Sequence, residues 1–155
     1  MTRDEIMQLD DDALRVEVAK RCGYRWYQIG SDAWITKNSG LLPKGVEPVD
    51  NPEPGSIRYF RCHDYPHNTS AALALLDGMT YPPEEDGRRV SVEYSILKVT
   101  YNHTGNIDPL EVSYYIVDIL SRNSTRGDDY EATAATLPRA ACEAWLAWDD
   151  ARAKP

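Results

Sequence analysis

The sequence predicts an α+β protein, a three-layer helix/sheet/helix sandwich with a mainly antiparallel sheet. Segments with helical and strand-like patterns alternate along the chain in the order helix, hairpin, helix, hairpin, helix. The two longest strand-like segments, residues 88–101 and 111–120, are apolar on both faces, which is typical of a sheet covered on two sides. At 155 residues the chain is expected to form a single domain, residues 1–155.

The first 23 residues predict two helices. Thr2 and Glu5 have the spacing of a capping box, in which each end of the motif satisfies a backbone N–H of the other. Asp10 is a suitable cap for the second helix, whose buried stripe includes Leu14. Gly23 follows as a residue that tolerates the backbone conformation at a helix end.

Residues 24–36 predict a hairpin, because two aromatic-rich runs flank Gly30. Residues 37–56 contain four of the ten prolines, so we expect a long loop, and loops of this length are often lids or binding loops. Residues 57–62 follow as a short strand. The chain ends in a helix that has Pro138 in its first turn, with residues 150–155 frayed.

The stretch RCHDYPHNTSAALALL, residues 61–76, concentrates metal-ligand and nucleophile types just before an apolar helix. Zinc sites draw on two separated ligand pairs, and adjacent side chains such as Cys62 and His63 point to opposite faces of a strand. We therefore interpret the stretch as a helix entry capped by Asn68, with no metal. A small hydrolase that uses the His63/His67 region remains an alternative.

Composition and charge exclude several classes of partner. With 17 basic and 25 acidic residues the net charge is −8, which argues against a nucleic-acid polymer as partner because phosphate backbones are bound by neutralising them. Three scattered cysteines without a CxxC pair indicate a reducing compartment. No apolar stretch is long enough to span a bilayer, so we expect a cytoplasmic protein that has no membrane partner and no cofactor.

The acidic chain still has groups suited to a small anion. Arginine is well suited to phosphate contacts, and the hairpin geometry brings the start of strand 88–101 near the loop that follows strand 111–120. Helix-start donors and tyrosine faces complete the predicted ligand-binding set. The predicted residues are Arg88, Arg89, Arg122, Arg126, Asn68, Thr69, Tyr94 and Tyr115. The alternative for the arginines is that they are solvated charges at strand ends.

Three segments resemble the phage ABA-sandwich domain family of small phage and prophage proteins. The chain begins MTRDEI where members have an MTREEI-like segment, and HNTSAAL (67–73) stands where they have a YSTDIAAA-like helix start. ATAATLPRAACEAWL (132–146) is similar to their ADTxPxAICRAAL-like final helix. The resemblance implies a phage origin, a helix–sheet–helix fold and no catalytic residues.

These observations predict a non-enzymatic phage-encoded binding protein that sequesters a small nucleotide-derived signal and so counters bacterial immunity. The link to such sponges is an analogy of size, origin and chemistry. The first alternative is an acidic protein-interaction module, with Trp34 and tyrosines exposed, that masks a host protein or mimics DNA. Because the chain has many tyrosines and tryptophans, we also expect a homo-oligomer.

Overall fold

The computed structural model describes most of the chain, namely residues 1–37, 40, 42–53, 55–80, 92–103, 110–120 and 130–152. The chain divides into two compact units. One unit is Asp10–Asp64, and the other consists of Met1–Leu9 together with Tyr65–Pro155. The single-domain organisation expected from the length stays a prediction.

The described residues form helices and strands of an α+β protein. In chain order these are α1 (Arg3–Met7), α2 (Asp11–Arg21), β1 (Arg25–Ile29), β2 (Asp32–Thr36), β3 (Pro48–Val49), β4 (Ile57–Phe60), α3 (Thr69–Asp77), β5 (Glu93–His103), β6 (Leu110–Leu120), β7 (Tyr130–Ala134) and α4 (Leu137–Arg152). The α+β class and the mainly antiparallel pairing are confirmed. The strands form two sheets, one in each unit, and the three-layer arrangement stays a prediction.

The unit Asp10–Asp64 contains a four-stranded sheet in the order β3-β1-β2-β4. The predicted hairpin of β1 and β2 is confirmed, and its two-residue turn has Gly30 at a φ of 58°, the positive φ that such turns require. β4 runs parallel to β2. β3 lies inside the segment predicted as a loop, 37–56, and pairs with β1. The sequence did not indicate this strand, because two residues are too few to show a periodic pattern.

Helix α2 begins and ends as the sequence predicts. The Asp10 side chain accepts a hydrogen bond of 2.7 Å from the Ala13 N–H. Gly23, just past the helix end, has a φ of 88°, which only glycine adopts at little cost. Leu14 and Val18 are fully buried, so the predicted apolar stripe is the face that packs inward.

The other unit contains a three-stranded antiparallel sheet in the order β5-β6-β7. α4 lies against β6 and β7, and both α1 and α3 lie against α4. On the face that α4 covers, Val117 and Ile119 of β6 are fully buried and Ala132 of β7 is buried. Within the described ranges, no helix is long and apolar enough to cross a membrane.

The opposite face of this sheet has exposed apolar side chains. Leu97 of β5 pairs with Ile116 of β6 on that face, and the Leu97 side chain is 56% exposed. The prediction that these strands are covered on both sides is therefore wrong at Leu97, because α4 lies on the other face. Asp118 and Glu131 pair with each other on the same side of the sheet as Leu97; Oδ1 of Asp118 is buried, and Glu131 lies 3.7 Å from Arg3. The strand β7 was not predicted from the sequence.

Candidate ligand-binding site

The predicted arginine cluster lies outside the residues that the structure describes, so its convergence stays a prediction. This applies to Arg88, Arg89, Arg122 and Arg126. The other predicted residues are Asn68, Thr69, Tyr94 and Tyr115, and all of them belong to the unit that contains α3 and the three-stranded sheet.

Asn68 caps α3, as predicted. Its side-chain oxygen accepts a hydrogen bond of 3.0 Å from the Ala71 N–H, which satisfies one of the donors that a helix start leaves unpaired. Thr69 is the exposed first residue of the helix. The Asn68 carboxamide oxygen is thus engaged in local structure, and it would have to give up this hydrogen bond to receive a ligand group.

Tyr94 lies at the other end of α3. Its hydroxyl donates a hydrogen bond of 2.6 Å to Oδ1 of Asp77, the last residue of the helix. This hydrogen bond holds the phenolic proton and raises the pKa of Tyr94 above its ordinary value. At about 1.5 Å per residue, the two ends of α3 are about 12 Å apart, so the structure does not bring Tyr94 and Asn68 together.

Tyr115 shares a sheet face with Tyr94 but lies farther along the strands. It pairs with Lys98 of β5, whose Nζ lies 5.9 Å from the centre of the Tyr115 ring. Lys98 follows Tyr94 by four residues, which is about 13 Å at the usual strand rise. The two predicted stacking rings are therefore too far apart to contact the same base.

A cavity that the sequence analysis did not identify lies in the unit Asp10–Asp64. Its volume is about 270 Å³, and its walls are mostly apolar. It is lined by Ile29, Trp34, Thr36, Leu42, Pro43 and Arg61. We call it the Trp34–Arg61 cavity.

Strand alternation places the cavity-lining side chains on one face of the four-stranded sheet. Trp34 and Thr36 are two residues apart on β2, so they point to the same side. Trp34 is opposite Tyr59 of β4, with ring centres 6.2 Å apart and a tilt of 33° between the planes. The Arg61 N–H donates a hydrogen bond of 3.1 Å to the Ile35 carbonyl, which continues the course of β4 and brings Arg61 to the same side as Tyr59.

The long loop forms another wall of the cavity. Leu42 and Pro43 come from the segment 37–56, and that segment is attached to β1 at two points. β3 pairs with β1, and the Glu53 N–H donates a hydrogen bond of 2.9 Å to the side-chain oxygen of Gln28. Two residues of the loop therefore line the cavity, and the expectation that the loop is a lid or binding loop stays a prediction.

Among the six described residues that line the cavity, Arg61 is the only charged one. Its side chain is exposed and forms no ion pair with any residue in the described part of the chain. The backbone just beyond it is held by Arg15 of α2, which donates 2.7 Å and 3.1 Å hydrogen bonds to the carbonyls of Cys62 and His63. The positive group of Arg61 is therefore carried by backbone that Arg15 holds in place.

The neighbouring Cys62 is poorly suited to nucleophilic catalysis. Burial raises the pKa of its thiol above the ordinary value, and only the thiolate is a strong nucleophile. Among the residues that the structure describes, no group of three or more histidine, cysteine or acidic side chains could hold a metal ion.

The cavity joins segments that are distant in sequence, which explains why no local pattern indicated it. Trp34 and Arg61 come together only because β2 pairs in parallel with β4, after a connection of twenty residues. The expectation that Trp34 is exposed on an interaction surface is wrong. It is partly buried and lines the cavity, because the loop residues Leu42 and Pro43 line the same space.

No protein-family model, no curated protein and no solved structure matches this chain.

Proposed function

We propose that this protein is a non-enzymatic binding protein that sequesters a small anionic ligand in the Trp34–Arg61 cavity. The observation that supports the proposal is the cavity itself, an apolar space of about 270 Å³ with one guanidinium group in its lining. Small-molecule sites combine mostly apolar walls with a few placed polar groups. The proposal keeps the class of ligand expected from the sequence and moves its site to the other unit.

The lining of the cavity supports binding more than catalysis. Its six described residues include no carboxylate, imidazole or thiol, which are the groups that most often transfer protons or attack substrates. Thr36 supplies a hydroxyl, but none of the other five lining residues is a base that could activate it. A ligand held there would be released chemically unchanged.

We propose further that the ligand is a nucleotide-derived signal of bacterial immunity and that the protein acts in the host cytoplasm. A base can stack on Trp34, and a phosphate can pair with Arg61. The immune role rests on the resemblance to small phage proteins of the ABA-sandwich family, and membership of that family is part of the proposal.

The test is native mass spectrometry of the protein purified from bacteria that make immune nucleotide signals. We expect the wild-type protein to retain a small ligand that is recovered intact on denaturation. Arg61→Ala should lose the ligand. Lys37→Ala is the matched control, because it removes an exposed cation that lies against the Tyr24 ring and does not line the cavity. A clean apo mass for the wild type, or recovery of a converted product, contradicts the proposal.

A second candidate function is an acidic protein-interaction module, and the exposed Leu97 of the three-stranded sheet favours it. The exposed Leu97 lies opposite Ile116, and the half-exposed Glu131 lies on the same face. A photo-crosslinking residue at position 97 should then give one discrete adduct in host cells, and the same residue at the exposed position 12 should give none. Arg61→Ala should not affect this adduct, which distinguishes the two functions.

A further inference from the structure

We infer that the ligand of the Trp34–Arg61 cavity is one flat ring system that carries a single anionic group. This inference rests on the proposed function and narrows its ligand class. It excludes cyclic dinucleotides, which the proposed function by itself allows. Three properties of the cavity lead to it: the volume, the arrangement of aromatic rings and the number of charges.

The volume limits the ligand to a compact group. Sites for drug-sized ligands occupy roughly 300–1,000 Å³, and this cavity has about 270 Å³. At about 30 Å³ for each water molecule, it has room for about nine water-sized groups. A nucleobase or a naphthalene ring fills such a space. A cyclic dinucleotide, with its paired bases, sugars and phosphates, is larger than this space and would extend out of it.

The aromatic surface favours a flat ring. Trp34 lines the cavity, and the Tyr59 ring lies next to it at a centre-to-centre distance of 6.2 Å. Because Tyr59 is 44% exposed, the aromatic surface continues from the cavity wall toward the solvent. Ile29 and Leu42 add aliphatic walls. A planar apolar ring gains contact with all of these groups.

The charge of the lining favours a single anionic group. Among the described lining residues Arg61 supplies the only charge, one guanidinium, so a second anionic group would find no further cation among them. The net charge of the chain, −8, would also repel a second anionic group. Trp34 pairs with Tyr59, and Arg61 follows Tyr59 by two residues, which is about 7 Å along the strand. A ring at Trp34 therefore leaves its anionic group within reach of Arg61.

Aryl carboxylates and nucleoside monophosphates both combine a flat ring with one anionic group. A titration distinguishes these two classes of ligand. The probes are naphthoate, adenosine monophosphate, their uncharged counterparts naphthamide and adenosine, and cyclic di-adenosine monophosphate. Binding is followed at the indole N–H resonance of Trp34, which is assigned from the Trp34→Phe variant. We expect at least one of the ring anions to bind at least tenfold more tightly than its uncharged counterpart, since charge-assisted hydrogen bonds are the stronger ones.

Variants show whether Arg61 causes this preference. Arg61→Ala should bind the anion and its uncharged counterpart equally, whereas Lys37→Ala should keep the tenfold preference. If Arg61→Ala does not fold, Arg61→Gln removes the charge and keeps a polar side chain. Preference for naphthoate identifies a carboxylate ligand, and preference for adenosine monophosphate identifies a phosphate ligand.

Two results overturn the inference. One is a cyclic dinucleotide that binds at Trp34 as tightly as the ring anions, and the other is a preference for the anions that survives Arg61→Ala. If none of the probes binds but native mass spectrometry finds another retained ligand that depends on Arg61, the inference fails and the proposed function stands. If both measurements find no ligand, the proposed function fails as well.

Discussion

The guanidinium of Arg15 stacks on the ring of Phe60, with its central carbon 4.5 Å from the ring centre. The same group donates hydrogen bonds to the carbonyls of Cys62 and His63. One side chain of α2 therefore contacts the residue before Arg61 and the two residues after it. This makes Arg15 a positioning residue for the cationic group of the cavity.

We predict that Arg15→Ala lowers the free energy of unfolding by about 2 kcal/mol, because it removes a cation–π contact and two charge-assisted hydrogen bonds. Arg15→Lys should recover only part of this loss, since an ammonium cannot stack and reach both carbonyls as a planar guanidinium does. Urea unfolding measures the effect. Lys20→Ala on the same helix, which breaks a partly exposed pair with Glu17, should cost about 0.5 kcal/mol or less. Equal losses for Arg15→Ala and Lys20→Ala would contradict the prediction.

The ion pair within α4 should matter more for stability than those at the surface. Arg139 Nε lies 2.8 Å from Glu143 Oε1, and the Glu143 side chain is only 4% exposed. Arg139 also donates a hydrogen bond of 2.7 Å to the Leu9 carbonyl. We predict that Arg139→Ala costs about 2–4 kcal/mol, because it removes the guanidinium that lies against a buried carboxylate.

The control for Arg139 is Arg3→Ala, which removes a half-exposed pair with Glu131 at 3.7 Å and should change stability by no more than about 0.5 kcal/mol. Replacing both partners, Arg139→Met with Glu143→Gln, should cost less than Arg139→Ala because no charge is left buried. Thermal unfolding of the variants measures all three effects. A double variant less stable than Arg139→Ala would show that the pair itself is strongly stabilising.

The cap of α3 gives a third prediction. Asn68→Ala should lower stability by about 1 kcal/mol, because the Ala71 N–H loses its side-chain acceptor. Asn68→Asp should preserve stability, since aspartate caps equally well and its charge suits the helix start. Thr69→Ala is the neighbouring control and should have little effect. If the Asn68 side chain had no capping role in solution, Asn68→Ala and Thr69→Ala would unfold at the same denaturant concentration.

Tyr94 gives a prediction for alkaline pH. Its hydrogen bond to Asp77 raises the pKa of the phenol in the folded state, so folding favours the protonated form. The resulting stabilisation is complete below the unfolded-state pKa of about 10 and is lost as the pH rises through the raised folded-state pKa. The stability difference between wild type and Tyr94→Phe should therefore shrink above about pH 10.

Urea unfolding at a series of alkaline pH values tests this prediction, with tyrosinate absorbance as a second measurement. Tyr115→Phe is the matched control on the same sheet face. A stability difference between wild type and Tyr94→Phe that stays constant across the alkaline range would show that the Tyr94–Asp77 hydrogen bond does not form in solution.

Local sequence determined the ends of the elements. The cap at Asp10, the glycine after α2, the hairpin turn at Gly30 and the cap at Asn68 all lie where the residues predicted them. Each depends on interactions within about four residues of the chain, so side-chain type and spacing suffice to identify it. The very short β3 carries no such local signal.

The candidate site was decided by tertiary structure. Trp34, Leu42 and Arg61 become neighbours through a parallel strand pairing and a loop that returns to the sheet. Parallel pairing needs a long connection, and nothing within either strand specifies its partner. The two apolar faces of β5 and β6 likewise indicated burial without showing what covers them. The sequence thus determined where helices and turns begin and end, whereas long-range pairing decided which side chains share a cavity, because that pairing depends on contacts between distant segments.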